Sequence, residues 1–287
     1  MIKIKDMIKN MEDSSRTRLE DPRVEFWGIS LETPSEKGDQ DAVYRYKTYF
    51  SDKADNCIKN IPLIEDLRSM DMVECGGLVT DTSTDNTRVD ISINRRVNEQ
   101  MDRLFTFLAE SSDTKILFSE NEETIRNLSG LKITEHPDYR EAAFYKIGLS
   151  YKEKVVELIK WYFLSRFTGE DGLIDPDYEA SYLETLATLP GFCLLVKYAR
   201  MLLDEQKVRM HLCGLDTGAD GYCKYKIYFR AQEALCDLAF FQGFMEEFPL
   251  STMNALTEEL SSRGLSCIGF ALACTKDGKK SLNLYFR

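Results

Sequence analysis

Between Tyr222 and Arg230 the chain alternates with a period of two: Lys224, Lys226, Tyr228 and Arg230 on one face, Cys223, Tyr225, Ile227 and Phe229 on the other. That period belongs to a β-strand with one polar and one apolar face. The polar face carries cations and a phenol, with no acid among them. A single strand of this kind is usually solvated, but the pattern recurs. Val43–Phe50 sets Arg45, Lys47 and Tyr49 against Tyr46 and Phe50. Arg88–Arg96 sets Arg88, Asp90, Ser92 and Asn94 against Val89, Ile91 and Ile93. Ala142–Ser150 sets Phe144 and Lys146 against Tyr145, Ile147 and Leu149, and Ser281–Arg287 sets Asn283, Tyr285 and Arg287 against Leu282, Leu284 and Phe286. The spacing, roughly fifty residues, is in the range of repeat architectures.

Each of these stretches is the second strand of an expected hairpin. The first strands are Val24–Glu32, Val73–Thr80, Leu131–Glu135, Val208–Leu215 and Ser266–Cys274, joined to their partners by Gly-, Pro- and Asp-rich loops. Helices are expected between hairpins: Ile2–Glu20, Ser51–Met70 with a kink near Pro62, Val97–Glu110, a segment to Leu128 opened by a Ser119/Glu122 capping box, Lys152–Phe167, Tyr178–Leu203 with a break at Pro190-Gly191, Ala231–Glu246 and Ser251–Arg263. Single strands alternating with helices would imply a parallel barrel; paired strands imply antiparallel pairing. A propeller has no room for the helices. The expected fold is therefore α+β: one domain spanning residues 1–287, a closed ten-stranded antiparallel barrel of five helix-flanked hairpins, helices outside, polar face lining the lumen. About ten strands leave a cavity rather than a filled core. Two α+β domains with open sheets are the competing arrangement.

The net charge of −11 argues against nucleic acid as the main partner. The 8 cysteines include no CxxC pair, and the only histidines are His136 and His211, so no zinc site is expected. Met1–Ser14 lacks the apolar stretch of a signal peptide, and no run is long enough to span a membrane. The expectation is a reduced, cytoplasmic monomer whose cysteines are small core residues.

Five helix-flanked hairpins with Lys, Arg and Tyr on their second strands resemble the ABBA prenyltransferases, whose fold is the PT barrel. In the first hairpin Ser30-Leu31-Glu32, a loop and then Arg45 are similar to the cyanobactin-type peptide prenyltransferases, where a glutamate ends the first strand and a basic residue follows on the second. The chain's ending at a strand also looks like that type, whose barrel is more open to a peptide. Arg45-x-Lys47-x-Tyr49 and Lys224-x-Lys226-x-Tyr228 resemble the diphosphate-binding strands of the indole prenyltransferases. On the second hairpin the candidate is Arg88, with Ser92 and Asn94 at the other inward positions.

The resemblance implies an enzyme that moves an allylic group, dimethylallyl or geranyl, from its diphosphate to an electron-rich acceptor: a Tyr or Trp side chain of a peptide, or a small aromatic. Fixed cations in a water-poor lumen hold an anionic leaving group as its charge builds, and aromatic faces shield an allyl cation. Arg45, Lys47, Arg88, Lys146, Lys224 and Lys226 are then the diphosphate-binding set; Tyr49, Tyr228 and Tyr285 shield the cation; Glu32 orients the acceptor and takes its proton. No resident cofactor or metal site is called for, with Mg²⁺ the one ion such a diphosphate could bring. Other features read as plain structure. Asp171, Asp175 and Asp177 lie in a loop whose spacing is too loose for a metal motif. Met7, Met11, Met101 and Trp161-Tyr162-Phe163 read as core, and His211 as a packed polar residue. A barrel that holds an anionic small molecule without turnover is the alternative.

Overall fold

In a computed structural model the described residues are 4–15, 18–19, 21, 24–32, 43–50, 62–81, 86–93, 101–129, 143–152, 155–164, 173–204, 208–233, 235, 241, 244 and 250–287. Ten strands run β1 (Val24–Glu32), β2 (Val43–Phe50), β3 (Val73–Asp81), β4 (Asn86–Ile93), β5 (Ala143–Lys152), β6 (Val155–Leu164), β7 (Val208–Gly218), β8 (Cys223–Ala231), β9 (Cys267–Thr275) and β10 (Lys280–Phe286). They pair antiparallel with their sequence neighbours, and β10 returns to β1, closing the barrel. Closure leaves no unpaired edge.

Eight helices lie among the described residues: α1 (Ile4–Ser15), α2 (Pro62–Ser69), α3 (Met101–Glu110), α4 (Lys115–Ser119), α5 (Glu122–Ser129), α6 (Pro176–Ala187), α7 (Cys193–Asp204) and α8 (Leu250–Ser262). Period-two patterning decides what meets them. Trp27, Ile29 and Leu31 of β1, Ile159, Trp161 and Phe163 of β6, and Leu282, Leu284 and Phe286 of β10 are almost wholly buried, each set on one strand face. Met7 and Met11 of α1, Phe118 of α4 and Leu195 of α7 join the same apolar layer. Fully burying such a side chain stabilises by about 1.5–3 kcal/mol, so the core is a shell between sheet and helices and the lumen is free for polar work.

The third hairpin departs from expectation. Val155–Leu164 lies within the segment read as a helix, Lys152–Phe167, yet it is strand β6, paired with β5. Ile159, Trp161 and Phe163 face the shell while Lys160 registers with Asp216. The run is apolar enough on both faces to mask its period, and its β-branched and aromatic residues suit a strand. Lys146 is therefore on the first strand of its hairpin. The expected strand Leu131–Glu135 lies outside the described residues, as do residues 51–61 of the second expected helix, Asn94, and most of Ala231–Glu246; Ala231 itself ends β8. Ser119 closes α4 rather than capping α5.

The two barrel ends differ. The connections within hairpins, such as Ala219–Tyr222 and Lys276–Lys279, share one end. Five of the irregularities in strand register, at Val24/Phe26, Val73/Cys75, Phe144/Lys146, Met210/Leu212 and Tyr285/Phe286, sit toward the other. Bulges favour such rims. At the β7 bulge the Met210 N–H donates to Glu179 Oε1 of α6 at 2.9 Å, so the disturbed ladder keeps its partner.

Between α6 and α7, Gly191 has φ +90°, and a Cβ there would overlap the Tyr225 ring. Gly278, φ +88°, has nothing within 4 Å of such a Cβ. Gly278→Ala should cost about 1–2 kcal/mol, the left-handed backbone alone. Gly191→Ala should add about 1–3 kcal/mol for forcing a methyl into packed space. Denaturant midpoints measure both; equal losses would mean that the Tyr225 ring yields without cost.

Candidate active site

The lumen opens at the hairpin-loop end into a cavity of about 710 Å³. Arg45, Lys47, Lys160, Lys224 and Lys226 line it, with Lys276, Lys279 and Lys280 among the remaining lining residues, against the acids Glu32, Asp216, Asp220 and Asp277. Basic groups outnumber acidic ones two to one, in a protein of net charge −11.

Two carboxylates organise these cations. Glu32, the last residue of β1, binds Lys224 Nζ through Oε1 at 2.9 Å and an Arg45 guanidinium nitrogen through Oε2 at 3.0 Å. Arg45 lies two registers from Glu32 on adjacent β2, whereas Lys224 lies on β8, reached across β10 and β9. Asp216 of β7 accepts from Lys226 Nζ at 2.5 Å, and Lys160 Nζ of β6 lies 3.8 Å from its other oxygen. The backbone of Asp216 registers with Lys160 on one side and Lys224 on the other, and its side chain reaches diagonally to Lys226.

Burial sets the electrostatics. It drives Lys226 down to about 8; Asp216 works against the shift and neighbouring Lys224 adds to it. Burial likewise holds Lys160 well below the ordinary lysine value, opposed by Asp216 and reinforced by Lys226, Arg88 and Lys47. For Asp216, burial pushes the carboxyl up, but Lys226 and Lys160 outweigh it, leaving Asp216 below the carboxylate range. Glu32 follows the same logic: burial raises it, while Lys224 and Arg45 pull it below its usual value. Both acids are ionised at neutral pH.

An aromatic cluster adjoins this layer. Tyr49 stacks on Phe26 with ring centroids 3.9 Å apart, Tyr285 meets both edge-on, Tyr228 stacks on Tyr285 at 6.3 Å, and Tyr162 packs on Tyr228 at 5.8 Å. The Arg88 guanidinium lies 5.3 Å from the Tyr49 ring centre. Small residues make room for the rings: Gly28 is opposite Lys47 and Tyr285, Gly214 opposite Lys226 and Tyr162, and a Cβ would come within 3.2 Å of the Tyr49 ring at Gly28 and 3.1 Å of the Tyr228 ring at Gly214.

Of the expected site residues, Glu32, Arg45, Lys47, Lys224 and Lys226 line the cavity together, and Tyr49, Tyr228 and Tyr285 form the aromatic cluster. Lys146 and Arg88 are not in the cavity lining: Lys146 registers with Tyr162 and Ser92, and Arg88 sits at the aromatic cluster. Sequence reading missed Lys160, Tyr162, Asp216 and Phe26. The first two were hidden by the helix assignment. Asp216 lay just past an expected strand end, though Gly214 and Asp216 continue its inward period. Among the described residues no group of three His, Cys, Asp or Glu side chains is placed to hold a metal, and no helix is long and apolar enough to cross a membrane.

No protein-family profile matches the sequence, and no curated protein matches it. Solved structures do. 6-Dimethylallyltryptophan synthase from Micromonospora olivasterospora, solved with DMASPP and Trp, is 9% identical, with 90% of this chain and 80% of that one covered at a TM-score of 0.55. The chain has the fold of the ABBA prenyltransferases. AnaPT from Neosartorya fischeri is similar at 10% identity, 91% and 78% coverage and a TM-score of 0.53. 5-Dimethylallyltryptophan synthase from Streptomyces coelicolor gives 10%, 92% and 81%, and 0.50. At such identities the likeness extends to the PT barrel, and the site must be argued from its own residues.

The depressed Lys226 value has a measurable consequence. Below about pH 8 Lys226 is protonated and the cavity keeps this cation; above it the charge is lost. Affinity for inorganic diphosphate should therefore fall as pH rises through about 8. Lys226→Arg, whose guanidinium stays charged, should move the fall upward. Calorimetric titrations across pH 7–10 test this; identical profiles for both proteins would remove Lys226 from the anion site.

Proposed function

We propose that the protein is an aromatic prenyltransferase that moves a dimethylallyl or geranyl group from its diphosphate to an electron-rich aromatic acceptor. One observation carries the reading: a cationic layer, Arg45, Lys47, Lys160, Lys224 and Lys226, adjoins an aromatic cluster of Tyr49, Tyr162, Tyr228 and Tyr285 inside a PT barrel. The diphosphate needs the first and the allyl cation the second.

In this mechanism the cations hold the diphosphate. The allylic C1–O bond breaks and its electron pair leaves on the diphosphate oxygen, where the lysines and Arg45 meet the growing charge. The phenol rings face the carbocation and exclude water. A ring carbon of the acceptor supplies the electrons for the new C–C bond. Glu32 then removes the proton from that carbon, directly or through water, and aromaticity returns. Products are the prenylated acceptor, diphosphate and a proton. Lys146 and Arg88 have no direct diphosphate contact in this scheme; Arg88 stiffens the Tyr49 ring. Glu32 and Asp216 are both neutralised by cations, so the donor set does not suit a resident metal, and transfer is proposed to run without one.

The acceptor is an aromatic side chain, Trp or Tyr, of a peptide or of the free amino acid. Cys213, Cys223 and Cys274 are thiols rather than disulfides, which supports work in a reducing compartment that we take to be the cytoplasm.

Incubation with dimethylallyl and geranyl diphosphates and a panel of tryptophan, tyrosine, small phenols and short peptides, read by mass, should give a prenylated product with and without EDTA. Lys226→Ala should weaken inorganic diphosphate binding by about thirtyfold or more. Glu32→Gln should slow transfer by about 10²–10⁴-fold. Diphosphate binding without transfer to any acceptor would leave a barrel that only holds an anion.

A further inference from the structure

Glu32 is engaged in a way that a proton acceptor alone does not require. Both of its carboxylate oxygens are committed to cations, one to Lys224 and one to Arg45. Those cations stand on β8 and β2, on either side of the wall made by β1, β10 and β9, so the ion pairs bridge that sector. Along it lie buried polar atoms with no hydrogen-bond partner among the described residues: Ser30 Oγ, Ser281 Oγ and Arg45 Nε. Ser281 is directly opposite Glu32, and Ser30 directly opposite Arg45. A buried polar group left unpaired costs about 1–3 kcal/mol, and native proteins keep few of them. Three around one ion bridge describe a site short of ligand oxygens.

A carboxylate gripped by Lys and Arg is a chemical stand-in for a phosphoryl group, which those side chains bind with the same donors. We infer that Glu32 is a built-in counterion that the diphosphate displaces, so that substrates bind in order. The inference rests on reading the cavity as a prenyl diphosphate site. In the empty protein Glu32 occupies Lys224 and Arg45. The arriving diphosphate carries more charge and more acceptor oxygens, so it takes both cations and brings oxygens within reach of the Ser30 and Ser281 hydroxyls and Arg45 Nε. Glu32 is then released, and its carboxylate meets the acceptor's N–H or O–H free of both cations. Before that, the acceptor would have to compete with two cations for it. Linkage makes the effect mutual: diphosphate tightens the acceptor, and acceptor tightens the diphosphate.

The test is affinity for inorganic diphosphate in the wild type, Glu32→Gln, Glu32→Ala and Lys224→Ala, each checked for folding by melting. Removing the internal competitor should tighten binding about tenfold in both Glu32 variants, and Lys224→Ala should weaken it. Unchanged or weaker binding in the Glu32 variants, with Lys224→Ala still weakened, overturns displacement and leaves the diphosphate site standing. No binding by the wild type, or no effect of Lys224→Ala, overturns the site itself. The order is tested with the acceptor found by mass: inorganic diphosphate should raise its affinity in the wild type and not in Glu32→Gln. An acceptor bound equally well with and without diphosphate overturns the order.

Discussion

The site depends on carboxylates that each hold two cations from different strands. Closing a barrel whose inner faces carry lysine and arginine brings like charges together in poorly solvated space. Two unit charges about 4 Å apart repel by about 4 kcal/mol at the effective dielectric of a protein surface. Asp216 relieves this between Lys160 and Lys226, and Glu32 between Arg45 and Lys224. Glu32 accepts two cations and so leaves one positive charge uncompensated. The lumen stays cationic without being a bare cluster of lysines, and an anion that enters finds donors already oriented.

The same closure separates polar from aromatic chemistry. Residues of one strand face the lumen at every second position, so Lys224, Lys226 and Tyr228 descend β8 in single file, as Arg45, Lys47 and Tyr49 do on β2. Adjacent strands repeat the order, and the barrel stacks a cationic layer against an aromatic one. Gly28 and Gly214 stand opposite large side chains and let the Tyr49 and Tyr228 rings pack over them. Stability is supplied elsewhere, by the apolar shell between strands and helices. The lumen can then hold unpaired hydroxyls and depressed lysines that a core optimised for stability would exclude.

Much of this was legible in the chain because a strand's period is local. The alternation at Tyr222–Arg230 and Val43–Phe50 named Lys224, Lys226, Arg45 and Lys47 before any contact was known. It failed where both faces were apolar. Val155–Leu164 hides Lys160 and Tyr162 between Ile159, Trp161 and Phe163, and a run apolar on both faces reads equally well as a buried helix. The cost was one wrong hairpin, and with it a cavity lysine and an aromatic ring. Lys146 shows the opposite error: its face was read correctly, but its height along the barrel was not, because depth depends on register with β4 and β6.

What the sequence alone determined, outside the third hairpin, was the face of the strands, the chemistry that face carries, and the pairing of neighbouring strands through short loops. These follow from a two-residue period and turn composition, which act over a few residues. Tertiary structure alone decided which cations meet. Lys224 and Glu32 are 192 positions apart, and Lys160 and Asp216 lie on different hairpins. Their contacts exist only because the sheet closes with a particular stagger, and no local pattern encodes a stagger that all ten strands set together.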